Sequence, residues 1–408
     1  MAMRTGTPNF MKERLREARD ARGIDTLITL AALLGVNSST VSRWEDGSST
    51  PAPEKLLEIA EKLNVRPTYF LREPLGHGDG PTFFRSLASA RKRELRRQLA
   101  RLRWLQEIST ILQHYATLPV VNLPDLLNGE TYRDLRDEDI ERIAHDLRLH
   151  WGLGEQPIPN VIETLEHAGF IIGCDEMGTT ALDGLCNWSE LDQRPYILLA
   201  NDKMSFFRRQ MDAAHEMAHA VLHRDVSAEE LRRDFKIIEK QAFRLASAFL
   251  MPATTFALAA KSPTLAKLLT IKDRWRVSVK AMIKRCRDLH LISNEEERQL
   301  YKYYSAKGWS REEPLDQIEP VAKPRLLAQA LGMIVDAGKR TKPELLASEF
   351  TIPAKDVEEL VGLSEGWFSD RTGEVVTLRT GAGRIRKDGH FVGEVINFPE
   401  PLKFADGD

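Results

Sequence analysis

His215-Glu216-Met217-Ala218-His219 sets two imidazoles four residues apart, with a carboxylate beside the first. On an α-helix, residues four apart lie one above the other, so both rings leave the same face. Two neutral imidazoles so placed can hold Zn²⁺, and the carboxylate between them can take a proton from water activated there. That is the chemistry of hydrolysing a peptide bond. The neighbours Met211, Ala213, Ala214, Met217, Ala218, Ala220 and Leu222 include no Gly or Pro and favour the helix this needs. Five residues are a short pattern that an ordinary helix also carries by chance, so the third ligand decides its weight.

A catalytic zinc takes three protein ligands and keeps one position open. Asp225 falls where a HExxHxxGxxD ligand would lie, but the chain-turning Gly is replaced by Leu222. His223 is one turn beyond His219, about 6 Å along the axis by helical rise, too far along to share the ion readily. Glu229 and Glu230 belong to a polar, solvated connection. Glu239 is the better candidate. It opens the helical stretch from 239 to 252, whose small Ala242 and Ala246 allow close packing on the first helix, and Pro252 closes it. The assigned set is His215, His219 and Glu239 for the metal and Glu216 for proton transfer. His223 and Tyr196 are candidates for oxyanion stabilisation, with a structural role the simpler reading of each. The apolar run Tyr196–Ala200 is expected to pair with an extended substrate through its main chain.

The elements that must position these groups sit in a chain of 408 residues, long enough for two to three domains at about 150 residues each. With 42 % hydrophobic and 29 % charged residues and a net charge of −2, the composition is that of a water-soluble globular protein. No run is long and apolar enough to span a bilayer, and the first twenty residues lack the apolar centre of a signal peptide. Three widely spaced cysteines, Cys174, Cys186 and Cys286, make no disulfide framework, so a cytoplasmic location is expected. Between Arg85 and Arg103 stand eight Arg or Lys residues against one acidic residue, Glu94. The cluster reads as the solvated face of a helix whose other side is Leu95, Leu99 and Leu102, with phosphate binding as the alternative.

Residues 10–72 read as a compact all-helical unit. Gly35 turns the chain between two helices, Ala31 permits their close approach, and Val41 and Trp44 face inward. Ser38, Ser39, Thr40 and Arg43 are left exposed at the start of the next helix, where a major groove would be met. The segment from Val41 to Gly47, followed by Pro51 and the apolar positions Leu56, Leu57, Ile59, Ala60 and Leu63, resembles the XRE family of helix-turn-helix domains. Leu27 and Ile28 depart from that pattern, standing where a polar phosphate contact is usual.

The two metal-site segments together resemble the ImmA/IrrE metallopeptidase family, whose second motif runs E-x-x-A-N-x-F-A-x-x-L-L-M-P. Glu239, Ala242, Ala246 and Leu250-Met251-Pro252 keep it; Phe243 replaces the Asn, Leu245 the Phe and Phe249 a Leu. In the first motif Met211, Ala213 and Met217 replace apolar residues and Ala218 replaces a Gly, so no ligand or base is lost. The resemblance covers about 82–310 and includes Trp151-Gly-Leu-Gly, Pro157-Ile-Pro and Tyr196-Ile-Leu-Leu.

The expected fold is α+β and mostly α: a helix-turn-helix domain over 1–72, a Gly- and Pro-rich linker over 73–81, a zincin-like domain with a small sheet over 82–310, and a small C-terminal domain over 311–408. The last has short helices, then a hairpin near 375–379 and 391–396, and suits partner binding or dimerisation. The resemblance implies a Zn²⁺-dependent endopeptidase that binds double-stranded DNA. It would selectively cleave a repressor or antitoxin-like transcription factor in a stress, phage or mobile-element response. The rival reading keeps the DNA-binding regulator and makes the peptidase-like domain a sensor or dimerisation module without turnover.

Overall fold

The computed structural model describes residues 6–78, 80–84, 92–179, 181–202 and 205–369. Its N-terminal unit comprises α1 (Lys12–Ala21), α2 (Leu27–Leu33), α3 (Ser38–Asp46) and α4 (Pro53–Lys62). Sequence punctuation sets these limits. The Thr26 hydroxyl accepts from Thr29 N at the start of α2, and Gly47, at φ 84°, ends α3 in the left-handed conformation that glycine adopts most easily.

A two-residue strand, β1 (Phe83–Phe84), precedes the long α5 (Lys92–Gln113), α6 (Asp137–His150) and α7 (Val161–His167). Then come β2 (Ile171–Asp175), β3 (Gly184–Trp188), β4 (Pro195–Ala200), α8 (Phe206–Leu222), α9 (Ala228–Arg233) and α10 (Phe235–Leu250). Helices α11 (Ala253–Ala259), α12 (Leu265–Trp275), α13 (Val279–Asp288) and α14 (Asn294–Ala306) complete the peptidase-like unit. After it run α15 (Leu326–Asp336), α16 (Lys342–Glu344) and α17 (Ala354–Val361). No single described helix is long and apolar enough to cross a membrane.

The sheet order is β1-β3-β4-β2. β3 is antiparallel to both β1 and β4, and β2 is parallel to β4. Helices cover both faces, and β2 and β4 are buried throughout, which is why each reads as an unbroken apolar run. One face packs on α7, α8 and α10. The other belongs to a second core containing α5, α15, α17 and the N-terminal helices. Because β4 lies between β3 and β2, it has no free edge for a substrate, contrary to the expectation for Tyr196–Ala200. β2 ends the sheet on one side; on the other the edge would be β3, and β1 lies on it.

Three further expectations are corrected. The basic cluster on α5 is not a solvated face throughout: Lys92, Arg93 and Arg103 are exposed, Arg85 and Arg91 lie outside the described residues, and the others are held by partners. Arg101 is buried and paired with Asp175, Asp356 and Glu359, Arg96 pairs with Asp25, and Arg97 donates to the Glu176 carbonyl at 2.8 Å. Residues 73–78 are not a free linker, since His77 Nδ1 lies 2.8 Å from Ser189 Oγ and Glu190 N donates to the His77 carbonyl. The described part after 311, through 369, is not a separate lobe either. Arg72 donates to the carbonyls of Ser348 and Glu349, and α15 and α17 share the core of the N-terminal helices. The expected hairpin at 375–396 lies outside the described residues.

Candidate metal centre

Ser205 starts α8 by accepting from Arg208 N, and Pro252 follows the end of α10 as its sequence predicts. The two helices approach closely because Ala214 and Ala218 on one, and Ala242 and Ala246 on the other, are small and fully buried. That approach brings Glu239 of α10 across to the histidine face of α8. His215 Nε2 lies 3.1 Å from His219 Nε2. The Glu239 oxygens lie 3.4 Å from His215 Nε2 and 3.2 Å from His219 Nε2.

These spacings test the site for zinc. Ligand atoms about 2.0–2.1 Å from a tetrahedral ion stand roughly 3.3 Å from one another. The imidazole pair and the two Glu239 distances, which run from Oε2 to His215 and from Oε1 to His219, fall close to that value, and one ligand atom from each residue lies within 4.8 Å of the others. Neither Glu239 oxygen takes part in a well-formed hydrogen bond, although both are shielded from solvent. Burial alone would raise the Glu239 carboxyl; His215 and His219, when their rings carry protons toward it, outweigh that and lower it to about 2, and a cation would take the place of those protons. An anion and two imidazoles converging in a buried place fit a divalent cation by charge, donor type and distance.

The outer hydrogen bonds fix which nitrogen of His219 is free. Gln241 Nε2 donates to the Tyr132 carbonyl, so Gln241 Oε1 is the atom facing His223 Nε2 at 3.2 Å. His223 Nε2 must then carry the proton. Burial pushes the His223 pKa far down, leaving a neutral ring whose Nδ1 can only accept. Across 3.1 Å it accepts from His219 Nδ1, which leaves the His219 Nε2 lone pair turned toward His215 and Glu239. A backbone carbonyl thus sets the tautomer of a candidate ligand through two side chains. His223 supports the centre from behind and does not join it. Tyr196 is on the far face, where its hydroxyl binds Asp192 and Ser109, so neither residue is placed for an oxyanion. Asp225 and Glu229 are exposed, and Glu230 closes a capping box with Ser227, so none competes with Glu239.

Glu216 faces β3. A Cβ on Gly184 would come within 3.0 Å of Glu216 Oε1, so glycine is the residue that leaves the carboxylate room. Motif reading missed Gly184; its only sequence signal is a glycine inside a short apolar stretch. His215, Glu216 and His219 are at most 2 % exposed. The Phe83 ring stacks on His219 with centroids 4.7 Å apart, and Phe243 lies 4.2 Å from His215. Beyond Phe243 a cleft of about 910 Å³ opens between α8, α10, α13 and α14, lined in part by Met211, Asp212, Ser247 and Tyr304.

At the other end of the chain, Ser38, Ser39 and Arg43 of α3 are exposed and Thr40 is half-buried, while Val41 and Trp44 are buried as expected. Arg43 Nη2 reaches Thr40 Oγ1 at 3.5 Å.

Comparison with known families matches residues 167–287 to the IrrE N-terminal-like domain and residues 15–70 to the helix-turn-helix family. The search of curated proteins returns no match. The chain therefore joins an XRE-type helix-turn-helix domain to an ImmA/IrrE-like metallopeptidase domain.

Proposed function

We propose that the protein is a DNA-binding regulatory zinc endopeptidase. The observation that carries this reading is the buried convergence of His215, His219 and Glu239, each offering a ligand atom within 4.8 Å of the others, with Glu216 next to His215 on α8. His215, His219 and Glu239 would hold Zn²⁺, which when bound supplies a Lewis acid that polarises a carbonyl and acidifies water. Glu216 accepts the proton of the attacking water and returns it to the leaving amine. The helix-turn-helix directs this chemistry toward selective control, with a repressor-type or antitoxin-like regulator as substrate and double-stranded DNA met through Ser38, Ser39, Thr40 and Arg43. Three buried thiols suit action in a reducing cytoplasm.

One observation favours the sensor reading: the centre is almost wholly enclosed. Metal analysis of wild type and Glu239→Ala, followed by incubation of each with repressor-type regulators, separates the two. Zinc near one per chain that is lost in the variant, with cleavage by wild type alone, supports the enzyme. Stoichiometric zinc without cleavage of any regulator supports the sensor. No zinc in wild type overturns both.

A further inference from the structure

Phe83 belongs to neither motif, yet it covers a candidate metal ligand. Its strand adds to β3 antiparallel, with Phe83 opposite Cys186 and Phe84 opposite Leu185. Side chains alternate across the pleat, so Phe84 enters the α5 core while Phe83 points to α8. There its ring lies within 10° of parallel to His219 and 5.9 Å from His223. Tyr132, Val226, Leu231 and Ile238 complete the pocket, and Phe83 is 1 % exposed. The described pairing reaches Leu185, the neighbour of Gly184, against which Glu216 rests.

The chain that delivers this aromatic ring is weakly suited to be a permanent strand. It follows a stretch with Gly76, Gly78, Gly80 and Pro81, and two of its described residues pair with β3. Besides that pairing and the burial of Phe83 and Phe84, one side chain ties it down: Asn187 Nδ2 donates to the carbonyls of Gly80 and Pro81 at 3.2 and 3.3 Å. A strand edge beside a hydrolytic centre offers main-chain bonds to any extended peptide, and pockets along it select the side chains. Here both the edge and the pocket are filled by the connection between the DNA-binding and peptidase-like domains.

We propose that residues 80–84 occupy the place of the substrate, and that the substrate is an extended peptide presenting a large aromatic side chain where Phe83 now sits. The inference rests on the peptidase reading. The segment is a built-in competitor: while seated it shields His219 and denies β3 to other chains, and substrate access requires its release. The aromatic preference follows from the pocket, whose floor is the His219 ring and whose walls are apolar.

The test uses zinc-loaded full-length protein and a labelled peptide of residues 76–84, with a second peptide carrying Ala in place of Phe83. Phe83→Ala is expected to lose zinc to a chelator about tenfold faster than wild type, the effect of one ring contact of about 1.4 kcal/mol. It is also expected to bind the Phe-containing peptide by fluorescence anisotropy, where wild type does not. Asn187→Ala, which leaves the ring intact, should move both readouts the same way and serves if Phe83→Ala fails to fold. The Ala peptide should bind neither variant. Unchanged zinc loss and no peptide binding in folded, zinc-containing variants overturns the proposal while leaving the peptidase reading intact. Equal binding of the two peptides overturns the aromatic preference. A wild-type chain that takes up no zinc removes the peptidase reading and this inference with it.

Discussion

Helices α3 and α8 each carry a motif-defined set of polar side chains, and the structure treats the two sets in opposite ways. On α3, Ser38, Ser39 and Arg43 stand in solvent, braced only by one long contact from Arg43 to Thr40. On α8, His215, Glu216 and His219 are enclosed by α10, β3, Phe83 and Phe243. The difference fits the roles proposed for the two sets. A groove-reading surface supplies donors to a partner that brings its own acceptors, so it can wait exposed. A metal centre needs its ligand atoms held to a few tenths of an ångström and its tautomers fixed, which only packed surroundings provide. The exposed set is ready for its partner; the enclosed set has to be opened.

The comparison is most sharply tested at Glu216. Glu216→Gln keeps the shape of the side chain, so zinc content should stay near wild type. Cleavage of a regulator that wild type cuts should fall by about 10²–10⁴-fold, the usual worth of a general base. Full cleavage by the variant would mean that the enclosed carboxylate is not the base. Next comes the outer relay. Gln241→Leu preserves bulk but removes the amide that orients His223, and zinc affinity measured against a chromophoric chelator should weaken about 10–100-fold. Equal affinity would show that enclosure alone, without the relay, holds the centre.

On the exposed side, Arg43→Ala should weaken binding to the duplex that wild type selects from a random pool by about 1–3 kcal/mol, and relax the base preference at one position. Zinc content should not move, because the buried apolar residues that α3 and α8 contribute lie in different cores. The smallest effect is expected at Glu166. Its buried carboxyl accepts from Arg325 N and Leu326 N at the start of α15, and burial raises its pKa to about 7. The folded state therefore holds a proton that the unfolded chain has released between about pH 4.5 and 7, so this group's contribution to stability falls as pH rises through that window. Glu166→Gln keeps an acceptor and cannot ionise. Denaturant titrations at several pH values should show the slope reduced by about 1 kcal/mol per pH unit; an unchanged slope would place the titration elsewhere.

What was legible in the sequence follows the same division. Helices α3, α8 and α10 announce themselves through caps, small-residue faces and closing Gly47 or Pro252, all local signals. Glu239 was reachable because Ala242 and Ala246 predict a close helix pair. Strand β4 was legible as the apolar run Tyr196–Ala200. β3 was not, since Gly184 and Asn187 interrupt its pattern for reasons that lie in other elements: the space needed by Glu216 and the carbonyls of Gly80 and Pro81. β1 is two residues long and carries no periodicity at all. Arg101 reads as part of a solvated face because its partners are remote in sequence. Arg101 meets Asp175 at a separation of 74 residues and Asp356 at 255. Tautomer relays are equally silent, for His223 becomes informative only once Gln241 is seen against the Tyr132 carbonyl.

Asp356 on α17 has a consequence of a mechanical kind. One of its oxygens takes Arg101 of α5, the helix that also grips β2 through Asp175; both accept from Arg22, at the end of α1. The same carboxylate is thus a common rivet for the DNA-reading unit, the backing of the sheet and the C-terminal helices. Pulling any one plate away strands a buried charge, which costs about 3–5 kcal/mol. A displacement of α1 is therefore felt at once by α5 and α17, because all three are fastened to this one carboxylate.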